Sequence, residues 1–118
     1  MAAIVEPGSV LLHRSNDKSD PNDKILLDAK RRLKATTDAK GRKLEIIDLP
    51  LAEDLGHMNL YICNGAVGVP TAGVKREDAK LLGILKEIFP ERKVIGVSGV
   101  ILAEGGEGVH GITQQIPA

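Results

Sequence analysis

The residues between Gly105 and Gly111 have the types and spacing that could bind a phosphate group. Inside "GGEGVHG", glycines at 106, 108 and 111 form a G-x-G-x-x-G pattern. In dinucleotide-binding proteins this loop follows a strand and opens a helix, and an acidic residue about 20 positions later holds the ribose. The seven residues after Gly111 include no acidic residue, and the loop lacks the Lys-Ser or Lys-Thr pair of a P-loop. We therefore expect no nucleotide site and no cofactor.

Histidine and cysteine are the other residues that could do chemistry. His13, His57 and His110 have no metal-ligand spacing with one another or with Cys63, so we expect no metal site. Cys63 comes just before a predicted turn on an apolar strand. Packing as a small hydrophobic residue is expected there, with a reactive thiol as the alternative.

Composition excludes several classes of function. Lys and Arg number 16, as do Asp and Glu, and aromatic residues make up only 2% of the chain. Neither a basic footprint nor aromatic stacking platforms for nucleic acid are therefore expected. The single cysteine favours a reducing compartment, the N-terminus lacks a basic leader, and no run of about 18 apolar residues occurs. We expect a cytoplasmic protein that does not bind nucleic acid or membrane.

Two basic clusters interrupt this balance, at residues 29–34 and 39–43. We interpret them as the solvated face of a helix and the turn that follows it. An anion-binding patch is the alternative, although Asp28 and Asp38 dilute the positive field.

The elements that position these residues follow a repeated order. "IVEPGSVLLHR" predicts two strands joined at Pro-Gly. Asp20 and Pro21 then open a helix, with Asp23 at its positive end and Leu26, Ala29 and Leu33 on one face. The next strand is "KLEIIDLP".

The second half of the chain repeats this order. "LYICNGAVGVP" predicts two strands joined at Asn-Gly, a pair that tolerates positive φ at both positions. A helix near "KRED" carries an apolar stripe, and Pro90 ends it after Phe89. The members of that stripe are Leu81, Ile84, Leu85 and Ile88. "RKVIGVSG" is the closing strand.

The fold class is therefore α/β, with two ββαβ modules. Repetition of this order is typical of a modular array. We place one module at residues 4–50, a polar connector at 51–58 and the second module at 59–118, together forming one domain that spans residues 1–118.

Four stretches resemble the agmatine deiminase family of the pentein, or amidinotransferase-like, superfamily. "GGEGVHGITQQIPA" is similar to that family's G-G-G-N-[IV]-H-C-I-T-Q-Q, often with Pro-Ala soon after, and "NLYICNGAVGVP" to N-F-Y-I-A-N-G-A-V-x-V-P. "EPGSVLLHRSNDKSDPN" and "DAKGRKLEIIDLP" resemble its P-G-x-V-L-L-x-W-x-D-D-x-x-D-P and D-A-x-G-R-x-[LI]-x-[VI]-x-x-[LI]. The resemblance covers nearly the whole chain and implies an α/β propeller of about five modules, of which this chain would cover the last two.

The resemblance also implies an activity, which is hydrolysis of the guanidino C–N bond of agmatine to N-carbamoylputrescine and ammonia in putrescine biosynthesis. A cysteine attacks the guanidinium carbon, a histidine moves protons and carboxylates hold the cation. The family places the cysteine directly after His110, where this chain has Gly111. Gly105, Gly106 and His110 match residues beside the substrate, whereas Glu107 and Gly108 replace the family's Gly and Asn.

The sequence thus predicts a degenerate, partial pentein that is inactive alone and has no catalytic residue of its own. A guanidino compound is the only small-molecule ligand that the resemblance suggests. We expect a homo-oligomer, since absent modules would leave sheet edges and apolar faces uncovered. The alternative is a binding or structural module, or a partner subunit of a complete deiminase.

Overall fold

A computed structural model describes residues 2–50, 58–106 and 108–116. The chain divides into two compact units, Met1–Leu51 and Ala52–Ala118. The connector predicted at residues 51–58 lies outside the described residues except for Met58, and the assignment of one domain stays a prediction. No helix in the described ranges is long and apolar enough to cross a membrane.

The first unit is a three-stranded sheet with one helix. Strand β1 pairs antiparallel with β2, and β2 pairs parallel with β3, which gives the order β1-β2-β3. The elements are β1 (Ala2–Glu6), β2 (Ser9–Arg14), α1 (Pro21–Lys34) and β3 (Glu45–Pro50). The parallel register runs from Ser9 opposite Glu45 to Arg14 opposite Pro50. The predicted ββαβ order of this module is confirmed.

Local signals explain where the first unit's elements begin and end. Gly8 turns the chain between β1 and β2 with φ +92°, a conformation that L side chains rarely adopt. The Asp20 carboxylate accepts the N–H of Asn22 and caps α1, whose first residue is Pro21. The central strand β2 is buried from Ser9 to His13. Its aliphatic core is completed from the helix and from β3 by Leu26 and Leu49.

The second unit repeats this order and adds a short helix. Strand β4 pairs antiparallel with β5 and β5 parallel with β6, which gives the order β4-β5-β6. The elements are β4 (Tyr61–Cys63), β5 (Ala66–Thr71), α2 (Lys75–Ile88), β6 (Lys93–Ser98) and α3 (Val100–Glu104). Five residues are too few to show a helical period, so the sequence did not predict α3.

The hairpin glycine has the same second role in both units. The Gly8 carbonyl accepts the N–H of Glu45, and the Gly65 carbonyl accepts the N–H of Lys93, each at 2.8 Å. Each bond joins the turn to the first residue of the third strand and so starts the parallel pairing. The two modules are therefore alike in hydrogen bonding as well as in element order.

Two details of the second unit test the sequence reasoning. Leu81 and Leu85 of α2 are buried, and Phe89 follows the helix immediately before Pro90, as predicted. The hairpin turn differs from expectation, because Gly65 has φ +74° whereas none of the described non-glycine residues, Asn64 included, has positive φ. Glycine alone supplies the unusual conformation in this turn.

Candidate functional site

The candidate site is the segment that follows β6 in the second unit. Gly99 is buried and precedes α3, whose C-cap is Gly105. The N–H of Gly105 donates to the carbonyl of Ile101 at 3.2 Å, and Gly106 takes φ +79°. Gly105 and Gly106, predicted to lie beside substrate, therefore form an exposed exit from a helix. The described residues after Gly111 form no helix.

A turn at residues 108–113, called here the 108–113 turn, carries the predicted site residues His110 and Gly111. Gly111 donates its N–H to the Gly108 carbonyl at 3.0 Å. The Thr113 hydroxyl lies 2.9 Å from the Val109 carbonyl and 3.1 Å from the His110 carbonyl. The turn is thus closed by its own backbone and by one side-chain hydroxyl.

Val109 fixes the 108–113 turn to the sheet. Val109 is 8% exposed. A Cβ added to Gly68 of β5 would lie 3.8 Å from Val109 Cγ1, so the two residues are neighbours. The neighbouring His110 and Gly111 are exposed. The apolar residue therefore faces the sheet, while the two positions that the family resemblance assigns to chemistry face outward.

Asn59 contacts the 108–113 turn from an earlier part of the unit. Its Oδ1 accepts the backbone N–H of His110 at 2.7 Å. Asn59 is half-buried and lies between the buried residues Met58 and Leu60. Sequence reasoning gave Asn59 no role, although it opens the "NLYICNGAVGVP" stretch that carries the resemblance.

Cys63 requires a correction. It was expected to pack as a small hydrophobic residue, but it is a free, exposed cysteine at the end of β4, with Sγ 3.4 Å from the Ala66 carbonyl. β4 has only three residues and lies at the edge of its sheet, so the side chain at its last position is not covered. Alternation along an apolar strand indicates a face and does not show that the face is covered.

The remaining histidines are His13 and His57. His13 lies in the first unit, 5% exposed on β2. His57 lies outside the described residues, as does Glu107. In the described part of the chain no group of three or more His, Cys, Asp or Glu side chains could hold a metal ion.

The first unit has a cavity of about 360 Å³ where β2 and β3 end. Lys30 of α1 bridges Asp48 of β3 there, with Nζ 2.5 Å from Oδ2, and Arg14 lies 3.9 Å from the same oxygen. Asp48 Oδ1 is buried and accepts no hydrogen bond from the described residues. The Lys30–Asp48 ion pair joins α1 to β3 beside this cavity.

The basic clusters of the first unit are balanced by nearby carboxylates. Arg31 and Arg32 each contact Asp28 at 2.6 Å on an exposed helix face. Their hydrogen bonds, that of Arg31 above all, lower the pKa of the Asp28 carboxyl. Asp38 accepts the backbone N–H of Arg42, which lowers the pKa of Asp38, and also pairs with the Arg42 side chain. These pairs support the interpretation of a solvated face over that of an anion-binding patch.

The repeated ββαβ units have the pentein fold, which solved deiminase structures share. A structure of Enterococcus faecalis agmatine deiminase superposes with TM-score 0.87 at 30% identity, over 98% of this chain and 39% of that one. The chain belongs to the family of Porphyromonas-type peptidyl-arginine deiminases, whose sequence profile matches residues 1–117.

Curated relatives agree with this assignment. The agmatine deiminase of Medicago truncatula is 33% identical over all of this chain and 39% of its own length. A Streptomyces avermitilis protein named "Putative agmatine deiminase" is 35% identical over 99% of this chain and 36% of its own length. The chain therefore spans less than two-fifths of the length of these two relatives.

Proposed function

We propose that this chain is an agmatine deiminase-like protein that does not hydrolyse agmatine by itself. The observation that carries the proposal is Gly111, which follows His110 at the position where the family resemblance places the nucleophilic cysteine. Attack on a guanidinium carbon needs a thiolate, and glycine has no side chain to supply one.

The chain's own cysteine is a poor replacement. Cys63 ends β4 beside the Asn64-Gly65 turn, whereas Asn59, which contacts the 108–113 turn, precedes the other end of that strand. Cys63 pairs with Ala66 in the sheet, and Ala66 lies opposite the first residue of β6. The site segment, by contrast, follows the last residue of β6. The thiol and the site segment therefore belong to opposite ends of the sheet.

Two further requirements of the reaction are also missing from the described loop. The resemblance implies a general-base histidine and carboxylates for the cation that do not map to this loop. His110 is adjacent to the nucleophile position and does not match that base. Residual binding of a guanidino compound is supported only by the exposed backbone of Gly105 and Gly106 and by His110.

An activity assay with a restored nucleophile tests the proposal. Purified chain, Gly111→Cys and the control Gly111→Ser are incubated with agmatine, and N-carbamoylputrescine and ammonia are measured. We expect no turnover by any of them alone, because a thiol without its proton-transfer and carboxylate partners lacks most of the machinery. Turnover by the unaltered chain that survives Cys63→Ser would overturn the proposal. Turnover restored by Gly111→Cys alone would show that only the nucleophile is lacking.

A second candidate function is that of an assembly module, either a homo-oligomer or a partner subunit of a complete deiminase. Its support is a group of exposed apolar side chains in the second unit, on the edge strand β6 and on α3. These are Ile95, Val97, Val100 and Ile101, which are 42%, 41%, 39% and 81% exposed. Apolar groups on a sheet edge favour association.

Light scattering after size-exclusion chromatography tests this second candidate. We expect a species heavier than the 12.6 kDa of one chain, and Ile95→Lys with Val97→Lys to shift it toward the monomer. The matched control is Ile25→Lys, an exposed position on α1. A monomer across micromolar concentrations would remove the homo-oligomer, and co-purification with a complete deiminase would then decide the partner role.

The unpaired cysteine fits the cytoplasm as the compartment, which we include in the proposal.

A further inference from the structure

Asn59 and Gly108 meet inside the second unit although they are far apart in the chain. Asn59 Oδ1 accepts the N–H of His110 at 2.7 Å, so the carboxamide lies against the start of the 108–113 turn. The backbone of Asn59 is held on both sides, since Met58 and Leu60 are each 4% exposed. The carboxamide is therefore presented to the turn from a fixed point of the unit.

Gly108 leaves no room for a side chain while Asn59 occupies this place. A Cβ added to Gly108 would lie 2.5 Å from Asn59 Nδ2 and 2.7 Å from Oδ1, with Cγ closer still. Carbon atoms in proteins do not approach polar heavy atoms so closely. Gly108 does not have positive φ, so the requirement for glycine here is one of space and not of backbone conformation.

Gly106 provides the opposite case in the same segment. It has φ +79°, and an added Cβ would meet nothing within 4 Å. Substitution at 106 therefore strains the backbone without involving Asn59, whereas substitution at 108 displaces Asn59 without straining φ. This contrast supplies a matched control.

We propose that Asn59 is the positioning residue of the 108–113 turn and that Gly108 is the residue that admits it. Together they fix the backbone that carries His110 and position 111. Glycine at 108 is then what allows the Asn59 carboxamide to occupy this place. A side chain at 108 requires the carboxamide to move, and the His110 N–H then loses its acceptor. The importance of position 111 rests on the proposed function, but the coupling of 59 and 108 does not.

The first test measures the coupling in the full chain. Gly108→Ala and Gly106→Ala are each made in the parent chain and in the Asn59→Ala variant. The free energy of unfolding of every variant is measured with urea. We expect the loss caused by Gly108→Ala to fall by half or more once the carboxamide is gone, because the obstructing atoms are removed. The loss caused by Gly106→Ala is expected to be the same in both backgrounds. Equal losses for Gly108→Ala in both backgrounds would overturn the proposal.

The second test follows the amide of His110 by hydrogen exchange. A hydrogen bond contributes about 1 kcal/mol, and 1.4 kcal/mol is a factor of ten, so Asn59→Ala is expected to speed exchange of this amide about fivefold. Asn59→Asp keeps an acceptor oxygen of the same reach and is expected to restore protection. An unchanged rate in Asn59→Ala would overturn the proposed hydrogen bond even if the Gly108 variants fail to fold.

The third test asks whether the pair positions residue 111. Gly111→Cys is made in a Cys63→Ser background, and alkylation of the introduced thiol by iodoacetamide is measured against pH. We expect Asn59→Ala and Gly108→Asn each to change the rate of alkylation or the midpoint of its pH profile. Asn59→Asp is expected to give a profile close to that of the same chain with Asn59. Superimposable profiles for all variants would refute a positioning role. Agmatine turnover by the unaltered chain would overturn the proposed function alone, and independence of 59 and 108 would overturn this inference alone.

Discussion

Removal of the Lys30 ammonium should lower the free energy of unfolding of the first unit by about 1–2 kcal/mol. This loss lies between the contribution of an exposed ion pair and that of a hydrogen bond to a buried charged group. The side chains of Lys30 and Asp48 are 29% and 26% exposed, and Nζ lies 2.5 Å from Oδ2. In Lys30→Met the only cationic side chain left beside the Asp48 carboxylate, among the described residues, is that of Arg14 at 3.9 Å. Since Oδ1 already accepts no hydrogen bond from the described residues, the carboxylate is left poorly compensated.

A double-mutant cycle separates the bridge from the loss of a lysine. Replacing both partners, as in Lys30→Met with Asp48→Val, should recover at least half of the loss, because an apolar pair does not leave an unpaired charge. Lys24→Met on the exposed part of α1 is the matched control and should change stability by less than about 0.5 kcal/mol. Valine also suits the β3 position, where a β-branched residue packs well in a strand.

Amide hydrogen exchange is the suitable assay because it reports on each unit separately. The only tyrosine and the only phenylalanine, Tyr61 and Phe89, both lie in the second unit, so intrinsic fluorescence does not follow the first. Amides of β2 and β3 should exchange about 5 to 30 times faster in Lys30→Met, as expected for 1–2 kcal/mol. Rates equal to those of Lys24→Met, or a double mutant less stable than the sum of its parts, would refute the reasoning.

Two further predictions concern the cap of α1 and the packing around two glycines. Hydrogen bonding from the backbone N–H of Asn22 lowers the pKa of Asp20, so its capping contribution should be present above the unfolded-state pKa of about 3.9 and lost as pH falls through the lower folded-state pKa. Helix content measured by circular dichroism should show this loss in the parent and not in Asp20→Ala. Gly96→Ala should cost about 1–3 kcal/mol by overpacking, because its Cβ would lie 2.9 Å from Thr71 Cγ2. Gly83→Ala, on the open side of α2, should instead stabilise by up to about 1 kcal/mol. Urea midpoints that rank these two glycine variants the other way would contradict the packing argument.

Much of the fold could be predicted because its signals are local. Asp20 and Pro21 mark the start of α1 through one hydrogen bond and one fixed φ, and Pro90 marks the end of α2. The hairpins follow from Gly8 and Gly65, which supply positive φ between apolar runs. Each of these effects acts within a few residues, so the sequence contains all the information that they require.

Prediction failed where the environment of a residue decides the result. Cys63 stands on an apolar strand, yet it is exposed because β4 is three residues long and lies at an edge. α3 has five residues, too few for a periodic pattern, and it forms after the end of β6. The local spacing of residues shows neither whether a strand is covered nor where a short helix ends.

The candidate site shows the same division. Its location and its family followed from the residues between Gly105 and Gln115, and so did the absence of a side chain at Gly111. Which residue holds the turn did not follow, because Asn59 and His110 are 51 positions apart and meet only in the folded unit. Sequence by itself determined the order of elements and the chemistry that position 111 lacks. The tertiary structure alone decided that the space beside Gly108 is filled by the side chain of Asn59, which comes from a distant part of the chain.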